Sequence, residues 1–273
     1  MEISKVRAGT AVRLRSLDVA EAEAHALVEL VPDAPHGHAL LGFVSFERGQ
    51  LKGAAYHLMR ALELDPADAD VLFFLAATLQ GAGQVDRGRE LAKRFYEVDP
   101  LSPLSGAMLC GAEWFAGNLG KHVDVMERSL ALDPANAIVH WGLGYTYALM
   151  GRFDDAALQV GWMLTNTPEL PYTSQLSALV DAAEGRQEAA LATLACVDLT
   201  ALDAHHTFHV AESVAMAGDT ARALELLDWA VDHGMYPYRF YAEFCPFMEP
   251  LRGMPEFDRI VAKASRRVAE FSA

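Results

Sequence analysis

Apolar positions along this chain fall into short runs with helical spacing, interrupted at regular intervals by proline and glycine. Leu41, Gly42 and Ser45 lie about one turn apart, and Ala54, Leu58 and Ala61 follow at spacings of four and three, the intervals that place side chains on one helix face. Pro32, Pro66, Pro100, Pro134 and Pro168 recur every 34 residues, and Gly49, Gly83, Gly117, Gly151 and Gly185 each follow one of them by 17 residues. Proline ends a helix because it lacks the N–H, and glycine because it tolerates the left-handed cap conformation. Each 34-residue block is therefore predicted to be two short helices, with the two kinds of breaker half a period apart. Small residues at Gly42, Ala76, Cys110 and Gly144 hold one place in four successive blocks, where paired helices can approach closely. Ala20, Ala54 and Ala156 do the same in second helices, whereas Gly88 and His122 depart from the pattern.

A 34-residue helix–turn–helix with these landmarks resembles the tetratricopeptide repeat. The resemblance is clearest at HALLGFVSFERGQLKGAAYHLMRALELDP, residues 38 to 66, and at HWGLGYTYALMGRFDDAALQ, residues 140 to 159. It implies an all-α, right-handed α-solenoid of about seven antiparallel helical hairpins. The repeats are expected at about 1–34, 35–68, 69–102, 103–136, 137–170, 171–203 and 204–234, the first of them looking incomplete.

Residues 235–273 are expected to be an aromatic linker followed by a C-terminal capping helix. Tyr236, Tyr238, Phe240, Tyr241, Phe244 and Phe247 make Met235–Phe247 too aromatic to be left in water. This segment is expected to cap the last hairpin; alternatively it, or the N-terminal helix, fills the groove of the solenoid. From about Pro255, Phe257, Ile260, Val261, Ala264, Val268 and Phe271 share one side and Arg259, Lys263, Arg266 and Arg267 the other, as the polar outer end of an open solenoid requires. At the other end, Ile3, Val6, Val12 and Leu14 interleave with Lys5, Arg7, Arg13 and Arg15, which predicts an amphipathic helix. The ending ALELLDWAVDHGMYPYRFYAEFCPFMEPLRGMPEFDRIV, residues 223 to 261, is similar to repeat regions attached to bacterial serine/threonine protein kinases and adenylate cyclases. That likeness implies a bacterial sensing or docking module.

Composition narrows the partners. Thirty-seven acidic residues against 22 basic ones give a formal charge of −15, which repels phosphate backbones and argues against nucleic acid. Three widely spaced cysteines, Cys110, Cys196 and Cys245, do not form a disulfide framework and suit a reducing, cytoplasmic setting. The longest apolar stretch, Ala137 to Met150, is interrupted by His140 and is shorter than the roughly 20 residues of a membrane span. Gly142-Leu143-Gly144 and Gly81-Ala82-Gly83 lack the later glycine and lysine of a phosphate loop. No kinase signature or serine elbow occurs, and no cofactor is expected.

In a tetratricopeptide array the first helix of each hairpin lines the concave face. In this frame that face carries Phe43, Phe46, Phe73, Met108, Trp114, Trp141, Tyr145 and Phe208 as the candidate groove for a protein or peptide partner. Phe74, Leu149 and Leu179 share the frame and are read as packing between hairpins. The basic set with which chaperone-docking relatives clamp a terminal carboxylate is missing. The chain is thus read as a non-catalytic interaction scaffold, with a small-molecule or lipid sensor as the alternative. A third reading is a metal-dependent enzyme. His205, His209 and Glu212, spaced by four and three with His206 beside them, share a helical face that could bind zinc or nickel. The preferred reading is a histidine-bearing groove wall without metal. Cys245-Pro246, a dipeptide also found in haem-regulatory motifs, is assigned to the cap.

Overall fold

The computed structural model describes the backbone of residues 2–272 and the side chains of residues 16–200 and 202–271. Among the described residues it is an all-α solenoid without strands. A long first helix, α1 (Glu2–Leu30), precedes six hairpins: α2 (Pro35–Glu47) with α3 (Leu51–Leu64), α4 (Ala69–Gly81) with α5 (Val85–Val98), α6 (Pro103–Trp114) with α7 (Val123–Leu132), α8 (Ala137–Leu149) with α9 (Phe153–Asn166), α10 (Pro171–Ala183) with α11 (Gln187–Ala195), and α12 (Ala204–Met216) with α13 (Thr220–Asp232). Short π and 3₁₀ turns at Phe240–Phe244 and Pro246–Leu251 lead into α14 (Pro255–Ser272).

Chain chemistry accounts for the boundaries. Pro35, Pro103 and Pro171 occupy the first turn of their helices, where the missing N–H has no intrahelical partner to lose. Asp68, Asn136, Asp203 and Asp219 cap others by accepting backbone N–H bonds. The intra-hairpin glycines adopt positive φ, from 69° at Gly49 to 83° at Gly185. At Gly42 an added Cβ would lie 2.5 Å from Leu58, so the small landmark is a contact between paired helices.

Two expectations need correction. Residues 1–34 do not form a hairpin: α1 runs unbroken because Arg15 stands where the later blocks carry their breaking glycine. The amphipathic pattern at residues 3–15 lies outside the described side chains. In the block at 103–136 the second helix starts late, at Val123, because Gly117 (φ 82°) and His122 (φ 64°) both take left-handed backbone and lengthen the connection.

The superhelix closes on itself. The Tyr236 N–H donates to the Gly81 carbonyl at 2.8 Å, joining the C-terminal segment to the second hairpin. Gly49 abuts the backbone of His233, and Phe271 reaches the core of the first two hairpins. Arg48 anchors α1 to α2 by binding Asp18 and Glu21, each at 2.6 Å. The other face of α14 lies on α13, where Lys263 pairs with Asp228 and Asp232 and Arg267 with Asp232.

Met235–Phe247 does not simply cover the last hairpin. It turns inward: Phe240 packs on Phe115 and Phe208, and Phe247 on Tyr145. The chain fills part of its own groove because this run of rings is buried more completely between hairpins than over the end of one.

The closure can be tested with a matched glycine pair. Gly49 and Gly151 have φ of 69° and 72°, but a Cβ at Gly49 would meet the His233 carbonyl oxygen at 2.2 Å, whereas Gly151 has nothing within 4 Å. Left-handed backbone costs an alanine about 1–2 kcal/mol at either position. Gly49→Ala is expected to lose more stability than Gly151→Ala and, unlike it, to enlarge the hydrodynamic radius. Urea denaturation with light scattering checks this; equal losses and equal radii would show that the ends do not hold each other.

Candidate functional site

Closure leaves a cavity of about 850 Å³ on the concave side. Its walls come from the first helices of successive hairpins: Phe46 on α2, Phe73 and Phe74 on α4, Met108 and Trp114 on α6, Trp141 on α8, and Tyr172 on α10. Leu17 of α1 closes one side, and Trp229, His233 and Met235 close another. Asp203, His205 and His206 form a polar end. The volume is in the range of about 300–1,000 Å³ found for small-ligand sites.

Among the groove residues read from sequence, Phe46, Phe73, Met108, Trp114 and Trp141 do line this cavity. Phe43 does not; it packs edge-on against Phe74, 5.0 Å between ring centroids. Tyr145 and Phe208 face the groove but are wholly buried by the C-terminal segment, with exposures of 0%. Leu149 and Leu179 are core residues, whereas Phe74, assigned to packing alone, also lines the cavity.

Trp114, Trp141 and Tyr145 form one aromatic cluster, Trp141 stacked on Tyr145 at 5.6 Å and Trp114 edge-on to both. The Trp141 indole N–H donates to Gln175 Oε1 at 2.9 Å, and the Gln175 amide in turn donates to Ser213 Oγ and the His209 carbonyl. These bonds hold the Trp141 ring at a fixed tilt. Both tryptophans are over 90% buried, so they form the floor of the site while Phe46, Phe73 and Met108 are its accessible wall.

Behind this floor runs a buried polar chain. Glu212 Oε1 accepts from the Tyr145 hydroxyl at 2.7 Å and the Cys245 thiol at 2.9 Å, and Glu212 Oε2 lies 2.6 Å from His209 Nδ1. His209 Nε2 in turn lies 3.2 Å from His205 Nε2, at the cavity surface. Burial pushes Glu212 up to about 8, although bonds from Cys245 and Tyr145 pull the other way. Burial likewise holds His205 and His209 well below the usual imidazole range and lifts the Cys245 thiol and Tyr145 phenol well above theirs. Cys245 is thus a hydrogen-bond donor in the cap, sealed from any haem. The set His205, His209 and Glu212 is not a joint ligand set, because Glu212 is spent on three partners in the core. Asp203 takes its place beside the histidines: its Oδ1 lies 2.9 Å from His206 Nδ1. Burial opposes ionisation of both groups, but each holds the other charged, Asp203 well below the usual carboxylate range and His206 above the usual imidazole one.

Several residues of the site escape the repeat frame. Tyr172 and Gln175 lie on α10, and Leu17 comes from a helix read as half a hairpin. Trp229 and His233 belong to the second helix of their repeat, which the frame places on the outer side. Asp203 had a visible signal, an N-capping aspartate two and three residues before a histidine pair.

A tetratricopeptide repeat family model matches residues 45–103. No curated protein matches the sequence. A tetratricopeptide repeat protein from Parabacteroides merdae has a similar structure over 96% of this chain and 98% of its own, with TM-score 0.60 and 13% identity. A thermophilic one from Thermus thermophilus is similar over 73% of this chain and 98% of its own, at 0.55 and 22%. A chain of the APC/C hetero-tetramer Cut9-Hcn1 is similar over 91% of this chain and 46% of its own, at 0.64 and 13%. At these identities the likeness is one of fold.

Proposed function

We propose that this tetratricopeptide repeat protein is a non-catalytic binding protein whose cavity receives a short apolar segment of a protein partner. The observation that supports the reading most directly is the wall of Phe46, Phe73, Phe74 and Met108 over a floor of Trp114 and Trp141. Rings of this size supply large apolar area at small entropic cost, which suits the centre of an interface. About 850 Å³ accommodates a few bulky side chains, or a turn or two of helix. The solenoid similar to this one in the Cut9-Hcn1 assembly occurs in a complex with another protein, which is compatible with this use of the fold. The −15 charge favours basic or neutral partners over nucleic acid and acidic ones. A setting in bacterial signalling draws support from the likeness of residues 223 to 261 to kinase- and cyclase-linked repeats. A reducing compartment is supported by the three free cysteines. No helix of the described residues is long and apolar enough to cross a membrane.

A second reading, a small apolar ligand, is favoured by the enclosure itself, since α1 and the C-terminal segment wall a groove that a long peptide would need open. Selection from a displayed peptide library and native mass spectrometry of the purified chain separate the two. Peptides with bulky apolar residues, bound with weak salt dependence and lost on filling the cavity by Ala107→Trp, are expected. Truncating the half-buried wall at Phe73 or Met108 to alanine should cost about 2 kcal/mol, roughly thirtyfold in affinity. Folded variants that keep the same peptides at the same strength would sink the proposal. A stoichiometric small molecule that peptides do not displace would establish the second reading instead.

A further inference from the structure

The polar end of the cavity has a composition that neither packing nor an apolar ligand explains. We propose that Asp203, His205 and His206 form a binding site for a divalent transition-metal ion, zinc first among them. Each offers one ligand atom, and the three atoms lie within 4.8 Å of one another. Tetrahedral zinc with nitrogen and oxygen ligands at about 2.0–2.2 Å sets its ligand atoms about 3.4 Å apart, so the side chains need only small rotations to converge. Two imidazoles and a carboxylate suit zinc, nickel or copper and not calcium or magnesium, which take oxygen ligands.

The surroundings are built to hold such a set in place. Asp203 caps α12 by accepting the His206 backbone N–H at 2.8 Å, which fixes the turn that carries all three residues. His205 is braced from behind: its Nε2 is 3.2 Å from His209 Nε2, and His209 Nδ1 is 2.6 Å from Glu212. Carboxylate–imidazole bracing of this kind orients metal-bound histidines and raises their basicity. His206 also stacks on Tyr172, which limits its swing. The hydrogen that Asp203 and His206 share is replaced by the ion, and its proton is released to solvent. Three protein ligands leave a coordination position open, and since all three residues line the cavity, that position faces its interior. An occupant with a donor atom at one end would complete the coordination. The site does not depend on the identity of that occupant, because the ion can be measured on the protein alone.

The test is titration of the full, metal-stripped chain with zinc chloride, read by calorimetry and by equilibrium dialysis, with cobalt substituted for its visible spectrum. One tight ion per chain is expected, with cobalt absorption of tetrahedral or five-coordinate character. Asp203→Asn keeps an effective helix cap and is expected to weaken binding about a hundredfold. His206→Ala should do the same, and His233→Ala, at the edge of the same cavity, should leave the affinity unchanged. Circular dichroism confirms that each variant is folded. Only weak, multi-site uptake, or tight binding that the folded Asp203→Asn variant retains, would overturn the proposal. Either outcome leaves the apolar binding reading to stand or fall on its own experiments.

Discussion

Deleting residues 235–273 is expected to give a chain that aggregates, not a shorter solenoid. Phe240, Tyr241, Phe247, Met248, Leu251, Phe257, Ile260 and Ala264 are all at most 2% exposed, and the first three belong to the segment that turns into the groove. Burying one large apolar side chain stabilises by about 1.5–3 kcal/mol, and a domain's whole net stability is about 5–15 kcal/mol. Removing these groups together exceeds that margin and leaves Tyr145, Phe208 and Phe115 facing water. The single change Phe247→Ala, which opens a void against Tyr145, should cost about 3–5 kcal/mol. Trp229→Ala, at a ring 40% exposed, should cost far less. Urea unfolding of the point variants and light scattering of the truncation check this. A soluble monomeric truncation with wild-type stability would show that the C-terminal segment is an appendage.

The repeat architecture was legible because its determinants are local. A proline every 34 residues, a glycine half a period later and small residues at Gly42, Ala76, Cys110 and Gly144 act within one hairpin, so their spacing carries through to the structure. Closure of the superhelix was not legible in the same way. It depends on small rotations accumulated over six hairpins, and its contacts, such as Tyr236 to Gly81, join residues 155 positions apart. For the same reason the aromatic frame identified the inward side chains without dividing them. Phe46, Phe73 and Met108 stay accessible, whereas Tyr145 and Phe208 sit on the same inner face and are taken up by Phe247, Phe240 and Tyr241. Which inward rings form a wall and which become core is decided by where the chain's own end docks.

Docking of that end turns on Glu212, the one acidic group among the fully buried side chains of α12. Replacing it by leucine leaves the Tyr145 hydroxyl, the Cys245 thiol and His209 Nδ1 without their shared acceptor. Unsatisfied buried donors cost about 1–3 kcal/mol each, so Glu212→Leu should lose several kcal/mol. Glu212→Gln should lose much less, since its carbonyl oxygen can still accept from Tyr145 and Cys245. The two forms should also differ with pH. Burial raises Glu212 from 4.5 to about 8, so across that window the unfolded chain ionises while the folded one resists. Folding then takes up a proton, and wild-type stability falls as pH rises from 4.5 to 8 by a contribution the glutamine variant lacks. His205 and His209, held low by burial, act in the opposite direction, losing stability as pH falls below their usual value of 6.5. That contribution is shared by both proteins and cancels in the comparison. The stability of wild type minus that of Glu212→Gln is therefore expected to decline steadily from about pH 5 to about pH 8, by about 1.4 kcal/mol for each unit over which Glu212 stays protonated. Urea unfolding of both proteins at several pH values across that window measures it. A difference that stays flat would mean that Glu212 is already ionised in the folded protein, and that its three partners are held by a carboxylate.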